Sequence, residues 1–292
     1  MPEPSDFRVL VATDGSKDAQ AAIATARAFP WPSATRVRAV VARRSRWSGP
    51  GRPAIDALEG HFERVAAGAR RSLRRTWPNA DATAVNAPPV EAIVGEARRF
   101  RAKVIVLGWR GYGPVARLLM GSISRGVVRH ALCPVLVVRR RRDIRTVVVG
   151  VDGSPNARKA ARFLASLKPR RGARVVLACI VEPVTVPSAG LLPGTVRSVL
   201  GREAAKVNAE RIRRGERELR AIAPALKRAG WSVSTRVRLD VPLRGLLEAV
   251  KASKANLLCV GARGTGSVKR LLLGSIAEGA LNRCPVGVLL VR

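Results

Sequence analysis

Short apolar runs alternate with longer, helix-forming segments along the whole chain. Val9–Thr13 is a compact apolar run, and the Asp14-Gly15-Ser16 turn behind it leads into an alanine-rich stretch. That pattern predicts a strand followed by a helix over about Lys17–Phe29. The alternation continues with strands at Arg36–Ala42, Ala82–Val85, Val104–Leu107 and Val135–Arg139. Between them lie helices at about Ile55–Thr76 and Val90–Phe100, and one that begins at Gly121-Ser122. A second series follows the first. Its later strands are Arg174–Val181, Ser232–Arg238, Leu257–Val260 and Gly287–Arg292, and its helices cover about Val199–Ala229, Leu243–Ser253 and a stretch from Gly274-Ser275. Ser154-Pro155 sets a capping hydroxyl before a proline at the first helical position, a clear helix start. Continuous apolar strands separated by helices predict a parallel sheet covered on both faces.

The two series are one text written twice. Val9-Leu-Val-Ala-Thr-Asp-Gly-Ser16 matches Val147-Val-Val-Gly-Val-Asp-Gly-Ser154 at an offset of 138, and Arg36–Val41 matches Arg174–Cys179 at the same offset. From Pro89 and Pro242 onward the offset is 153, so the second copy carries 15 extra residues between its second strand and the helix after its third. The seam falls in the basic run Arg139–Asp143, which predicts domains at residues 1–142 and 143–292 with a solvated linker between them.

Glycines carry the candidate chemistry. Gly108-Trp-Arg-Gly-Tyr-Gly-Pro-Val-Ala-Arg-Leu-Leu-Met-Gly-Ser122 and Gly261-Ala-Arg-Gly-Thr-Gly-Ser-Val-Lys-Arg-Leu-Leu-Leu-Gly-Ser275 share one frame: Gly, two residues, Gly, nine residues, Gly-Ser. A backbone without side chains can aim several N–H groups at one anion, and phosphate is the usual occupant. In open parallel sheets ligands lie beyond the strand C-terminal ends where strand order reverses. The Asp-Gly-Ser turns end strand one and the motif glycines end strand four, so adjacency of those strands would bring both clues to one crevice.

Composition narrows the classes. The chain has 292 residues, 47% hydrophobic and 25% charged, as expected of a globular protein. No apolar run is long enough for a spanning helix, and Met1-Pro-Glu-Pro-Ser-Asp6 lacks the basic-then-apolar form of a signal peptide, so a cytoplasmic location without membrane contact is expected. Cys133, Cys179, Cys259 and Cys284 show no metal-binding spacing and read as reduced, buried thiols, and His61 and His130 as structural or surface residues. The formal net charge of +34 attracts polyanions. The basic residues are spread along the chain, however, and an aromatic content of 4% leaves few platforms for stacking bases, so a nucleic-acid role rests on charge alone.

The Asp-Gly-Ser turn, the glycine frame and the closing Cys-Pro-Val-x-Val strand together resemble the universal stress protein family, specifically its tandem-domain, ATP-binding branch. The resemblance implies two Rossmann-like domains of the adenine nucleotide alpha hydrolase-like kind, each an open five-stranded parallel sheet with helices on both faces. It implies ATP, with or without Mg²⁺, as ligand at two sites. Asp14 and Asp152 would hold the adenosine end, with Ala12 and Gly150 beside them, and the backbone at Ala42 and Ile180 would touch adenine. Gly108, Gly111, Gly261 and Gly264 would line ribose and phosphates, and Gly121-Ser122-Ile123 and Gly274-Ser275-Ile276 would present amides and a hydroxyl to the phosphates. Arg110, Arg117, Arg263, Lys269 and Arg270 are candidate phosphate partners.

The second copy is the closer match, since Trp109 and Tyr112 stand in the first where smaller residues are common. Cys133-Pro134 aligns with Val286-Gly287 instead of Cys284-Pro285, which predicts a last strand whose pairing edge differs between the domains. The family's dimer pairs its final strands, and in a tandem chain this implies an intramolecular pseudo-dimer, with a homodimer of chains as a further step. The expected function is regulatory sensing of adenine nucleotide in a stress response. There is no G-x-x-x-x-G-K-[ST] loop and no evident base for an attacking water, although Mg²⁺-assisted slow hydrolysis stays open. The alternative is a polyanion or nucleic-acid binder whose affinity falls steeply with salt.

Overall fold

In the computed structural model, residues 6–43, 52–111, 120–141, 143–186, 193–264 and 273–292 are described. The first half runs β1 (Arg8–Ala12), α1 (Lys17–Ala28), β2 (Arg36–Arg43), α2 (Arg52–Arg74), β3 (Asp81–Asn86), α3 (Pro89–Arg99), β4 (Val104–Gly108), α4 (Ser122–His130) and β5 (Val135–Val138). The second repeats it as β6 (Thr146–Gly150), α5 (Pro155–Ala165), β7 (Arg174–Val181), α6 (Gly194–Arg228), β8 (Ser232–Leu239), α7 (Pro242–Ala252), β9 (Leu257–Gly261), α8 (Ser275–Arg283) and β10 (Gly287–Val291). The strand order is β3-β2-β1-β4-β5-β10-β9-β6-β7-β8. Every pair is parallel except β5 with β10. β1 lies between β2 and β4, and β6 between β7 and β9, so each half has its reversal of strand order beside its first strand.

Period-two alternation of side chains explains the packing. Val9 and Val11 of β1 face one layer of helices, while Leu10 and Ala12 face the other. Each layer continues across the seam: Val147 and Val149 join the first, and Val148 joins the second. The halves therefore share two cores, one on each face of a single sheet. The outermost strands β3 and β8 have no fully buried residue and carry polar residues such as Asp81, Thr83, Ser232, Ser234 and Arg236, which discourages further edge pairing.

At the seam Leu136 lies opposite Leu289, flanked by Val137 with Val288 and Val135 with Leu290. This register is symmetric, because Leu289 is the repeat-equivalent of Leu136. The expectation that the two final strands would differ in pairing edge is therefore corrected. β5 pairs β4 as Ile105 with Val135, and β10 pairs β9 as the equivalent Leu258 with Val288. The shifted Cys-Pro changes residue identities ahead of the last strand, but the offset of 153 holds on both sides of it. The symmetry extends to the helix ends. Arg139 Nη2 donates to the carbonyls of Leu281 and Asn282 at the end of α8, and Arg292 Nη2 donates to those of Val128 and Arg129 at the end of α4. Each final arginine thus caps the other half's last helix, where partial negative charge collects.

Candidate functional site

The Asp-Gly-Ser turns are built alike. Asp14 Oδ1 accepts the Ser16 N–H at 3.0 Å, and Asp152 Oδ1 accepts the Ser154 N–H at 3.0 Å. Gly15 and Gly153 take φ of 84° and 76°, the left-handed conformation that favours glycine. Ser16 Oγ then accepts the Ala19 N–H, and Ser154 Oγ the Ala157 N–H, starting α1 and α5. One oxygen of each aspartate is thereby held in the turn. The other is directed at the second motif glycine: a methyl on Gly264 would lie 2.6 Å from Asp152 Oδ2, and one on Gly111 would collide with Asp14 Oδ2.

The three glycines of each frame do different work. A methyl on Gly108 would come within 2.7 Å of the Asp18 carbonyl carbon, and one on Gly261 within 2.8 Å of Asn156 Cβ. The first glycine therefore lets the first turn of α1 or α5 lie against the end of β4 or β9. The third closes the loop, with the Gly121 N–H donating to Trp109 O at 3.0 Å and the Gly274 N–H to Ala262 O at 2.9 Å. Gly121 and Gly274 are also the N-cap residues of α4 and α8, and neither supplies a side-chain cap. Among the described residues nothing accepts from the first-turn amides of either helix, a standing attraction for an anion.

The two crevices differ in size. In the second half a cavity of about 920 Å³ is lined by all of Gly150, Asp152, Ile180, Gly261, Gly264, Gly274, Ser275 and Ile276. In the first half the equivalent space is about 90 Å³. Ala12, Asp14, Ala42, Gly108, Gly111 and Ile123 line it, whereas Gly121 and Ser122 do not. Small-molecule sites usually enclose ~300–1,000 Å³. The second crevice falls in that range and the first does not. One methyl of the difference is Ala12 in place of Gly150, whose missing Cβ would stand 3.1 Å from Val260 Cγ1 and 3.2 Å from Leu246 Cδ1.

More of it lies on the long helix. Arg211, Arg214, Gly215 and Glu218 of α6 line the larger cavity, at the spacing of one helix face. A methyl on Gly215 would be 2.8 Å from Cys179 Sγ, so α6 crosses β7 closely there. At the repeat offset of 153 the first half has Leu58, His61, Phe62 and Val65 instead, and among the described residues none of α2 lines its crevice.

Residues matching the Universal stress protein family are 7–139 and again 143–292. The chain belongs to that family. A universal stress protein of Mycobacterium tuberculosis is 32% identical over 204 residues, which are 65% of this chain and 62% of the relative. The chain thus matches less than two thirds of that relative's length. Another from the same organism is 29% identical over 230 residues, covering 74% of this chain and 70% of its own. Among solved structures, a universal stress protein from Archaeoglobus fulgidus superposes with a TM-score of 0.67 at 19% identity, covering 98% of this chain and 96% of that one. That likeness concerns the fold.

Two features of this universal stress protein carry no motif in the sequence. Trp109 is buried, its Nε1–H donates across the seam to Leu281 O at 3.0 Å, and the Arg110 and Arg139 guanidinium groups lie over its ring at 4.3 and 3.6 Å. A glycine-loop residue of the first half is therefore part of the seam, and a lone tryptophan in a loop gave no sign of that. Asp18 Oδ2 accepts the Arg110 N–H at 3.1 Å, and burial, opposed by that bond, pushes the carboxyl above the ordinary aspartate range. The second half has Asn156 there, whose Nδ2–H donates to Arg263 O. Tyr112, Arg117, Lys269 and Arg270 lie outside the described residues. Among the described residues no helix is long and apolar enough to cross a membrane, and no cluster of side chains could hold a metal ion.

Proposed function

We propose that this universal stress protein binds an adenine nucleotide in the second-half cavity and acts as a nucleotide-responsive regulatory protein of the stress response. One observation carries the reading: the glycine frame, the Asp-Gly-Ser turn and the strand position Ile180 that the family resemblance implied all line a single cavity of about 920 Å³, which includes the uncapped N-terminus of α8. In that pose the α8 amides and Ser275 take the phosphates, Asp152 Oδ2 takes a ribose hydroxyl, and the β7 backbone at Ile180 takes the base edge. Mg²⁺ would accompany the phosphates of ATP. The first-half crevice keeps the same turn and helix end in a tenth of the volume, so one nucleotide per chain is expected in place of two equal sites.

Rapid hydrolysis is not part of this reading. The aspartate is held by its own turn through one oxygen, and of the cavity's other carboxylates Glu218 is paired with Arg158 and Glu182 directly follows β7, so none is held as a base for an attacking water. Binding at this site would act by favouring one loop arrangement over another, as far as its affinities for the two differ. The test is mass spectrometry of small molecules released from the purified protein, followed by ATP titration of wild type and Gly274→Val. A stoichiometry near one that collapses in the variant supports the reading. Unchanged affinity refutes it. Adenine-independent binding that weakens steeply with salt would favour a general polyanion binder.

A further inference from the structure

We propose that the second-half cavity is built for a nucleotide with two separated anionic groups, a 5′-phosphate chain and a second phosphate on its 2′- or 3′-hydroxyl. The proposal rests on the nucleotide reading above and concerns the wall of the cavity opposite the α8 terminus. On that wall α6 presents Arg211 and Arg214. Their charges stay available in an unusual way. Along the same stretch of α6 the outward-facing cations are paired: Lys206 with Glu203, Arg213 and Arg217 with Glu210, and Arg220 with Glu216. Among the described residues no carboxylate pairs with Arg211 or Arg214. Arg211 donates to a neutral acceptor, the Glu182 carbonyl, at 3.0 Å. Glu218, the acidic residue on the same helix face, is occupied by Arg158 at 2.8 Å, which leaves the Glu182 carboxylate against two arginines on that wall and the wall net positive.

The cavity therefore has two positive poles. One is the bare helix end at Gly274-Ser275, with Arg263 beside it; the other is the Arg211–Arg214 pair. A nucleoside 5′-phosphate satisfies only the first. Guanidinium groups suit phosphate because they offer forked N–H donors. The spacing also fits the topology. Glu182, which takes Arg211, directly follows β7, and Ile180 near the end of that strand is the position read against the base, so the arginines stand over the nucleoside and not over the 5′ chain. The first half has Leu58 and His61 at the equivalent positions, so this pair of arginines has no counterpart in its α2.

The probes are AMP, ATP, adenosine 2′,5′-bisphosphate and adenosine 3′,5′-bisphosphate, titrated calorimetrically into the full chain and into Arg211→Gln/Arg214→Gln. Both side chains are exposed, so the double variant should keep the wild-type thermal midpoint. One of the bisphosphates should bind wild type about tenfold tighter than AMP or better, the value of one charged hydrogen bond. The variant should lose that advantage while its AMP affinity holds. The proposal is overturned if AMP and ATP bind but neither bisphosphate gains. It is equally overturned if the gain survives in the variant, or if the variant weakens all four probes alike. Absence of binding by every probe would overturn the underlying nucleotide reading as well, and is distinguishable from binding without discrimination.

Discussion

Gly264→Ala separates the binding role of the glycine frame from its packing role. The new methyl would lie 2.6 Å from Asp152 Oδ2 and 3.8 Å from its Cγ, with no other described atom outside the adjacent residues within 4 Å. Gly264 does not occupy the left-handed region, so the backbone itself tolerates alanine. The carboxylate must therefore rotate away, straining its bond to the Ser154 N–H. The stability loss should be ~0.5–1.5 kcal/mol, the net worth of such a bond. Nucleotide binding should suffer more. A displaced Asp152 forfeits a charged hydrogen bond worth ~1.5–3 kcal/mol, or about 10- to 100-fold in Kd. Gly261→Ala is the contrast, since its methyl would meet backbone, Asn156 C at 3.0 Å and Ala157 N at 3.1 Å, and must push α5 off the sheet at ~1–3 kcal/mol of stability. Urea denaturation and calorimetric titration of both variants provide the measurement. Wild-type affinity in a folded Gly264→Ala protein would refute the placement of Asp152 at the ligand.

Other outcomes follow from the seam and from one aspartate. Leu136→Ala opens a hole opposite Leu289 and should cost ~2–5 kcal/mol; because both cores cross the seam, scanning calorimetry should still show one transition, and two resolved transitions would contradict shared cores. Trp109→Phe removes the bond to Leu281 O, but that carbonyl keeps Arg139, so the thermal midpoint should fall by the equivalent of only ~1 kcal/mol. Asp18 has a raised folded pKa, so its contribution is most favourable when protonated and is lost as pH rises from the unfolded value through the folded one. Asp18→Asn should therefore flatten the mildly acidic limb of the stability–pH curve and leave the protein slightly more stable at neutral pH; an unchanged limb in urea titrations would show that burial does not perturb this carboxyl.

Local rules made much of this molecule legible in one dimension. Ser16 and Ser154 announce helix starts because a hydroxyl before alanine-rich sequence can take the first free amides, and the observed caps are those bonds. The apolar runs at Val9–Thr13 and Val104–Leu107 announce buried strands because both their faces must be covered. Repetition at fixed offsets then fixed the pseudo-symmetry, and with it the meeting of Asp152 with Gly264. What the repeat hid is the inequality of the crevices. Volume depends on how close α6 passes to β7, on a glycine at 215 where the other half has Phe62, and on which arginines of a highly basic helix turn inward. None of these can be read from one segment, because each arises where elements distant along the chain come into contact. The Trp109 contact with α8, 172 positions away, belongs to the same class. Sequence determined which elements form and where an anion would be received; close packing alone decided which half has room for it.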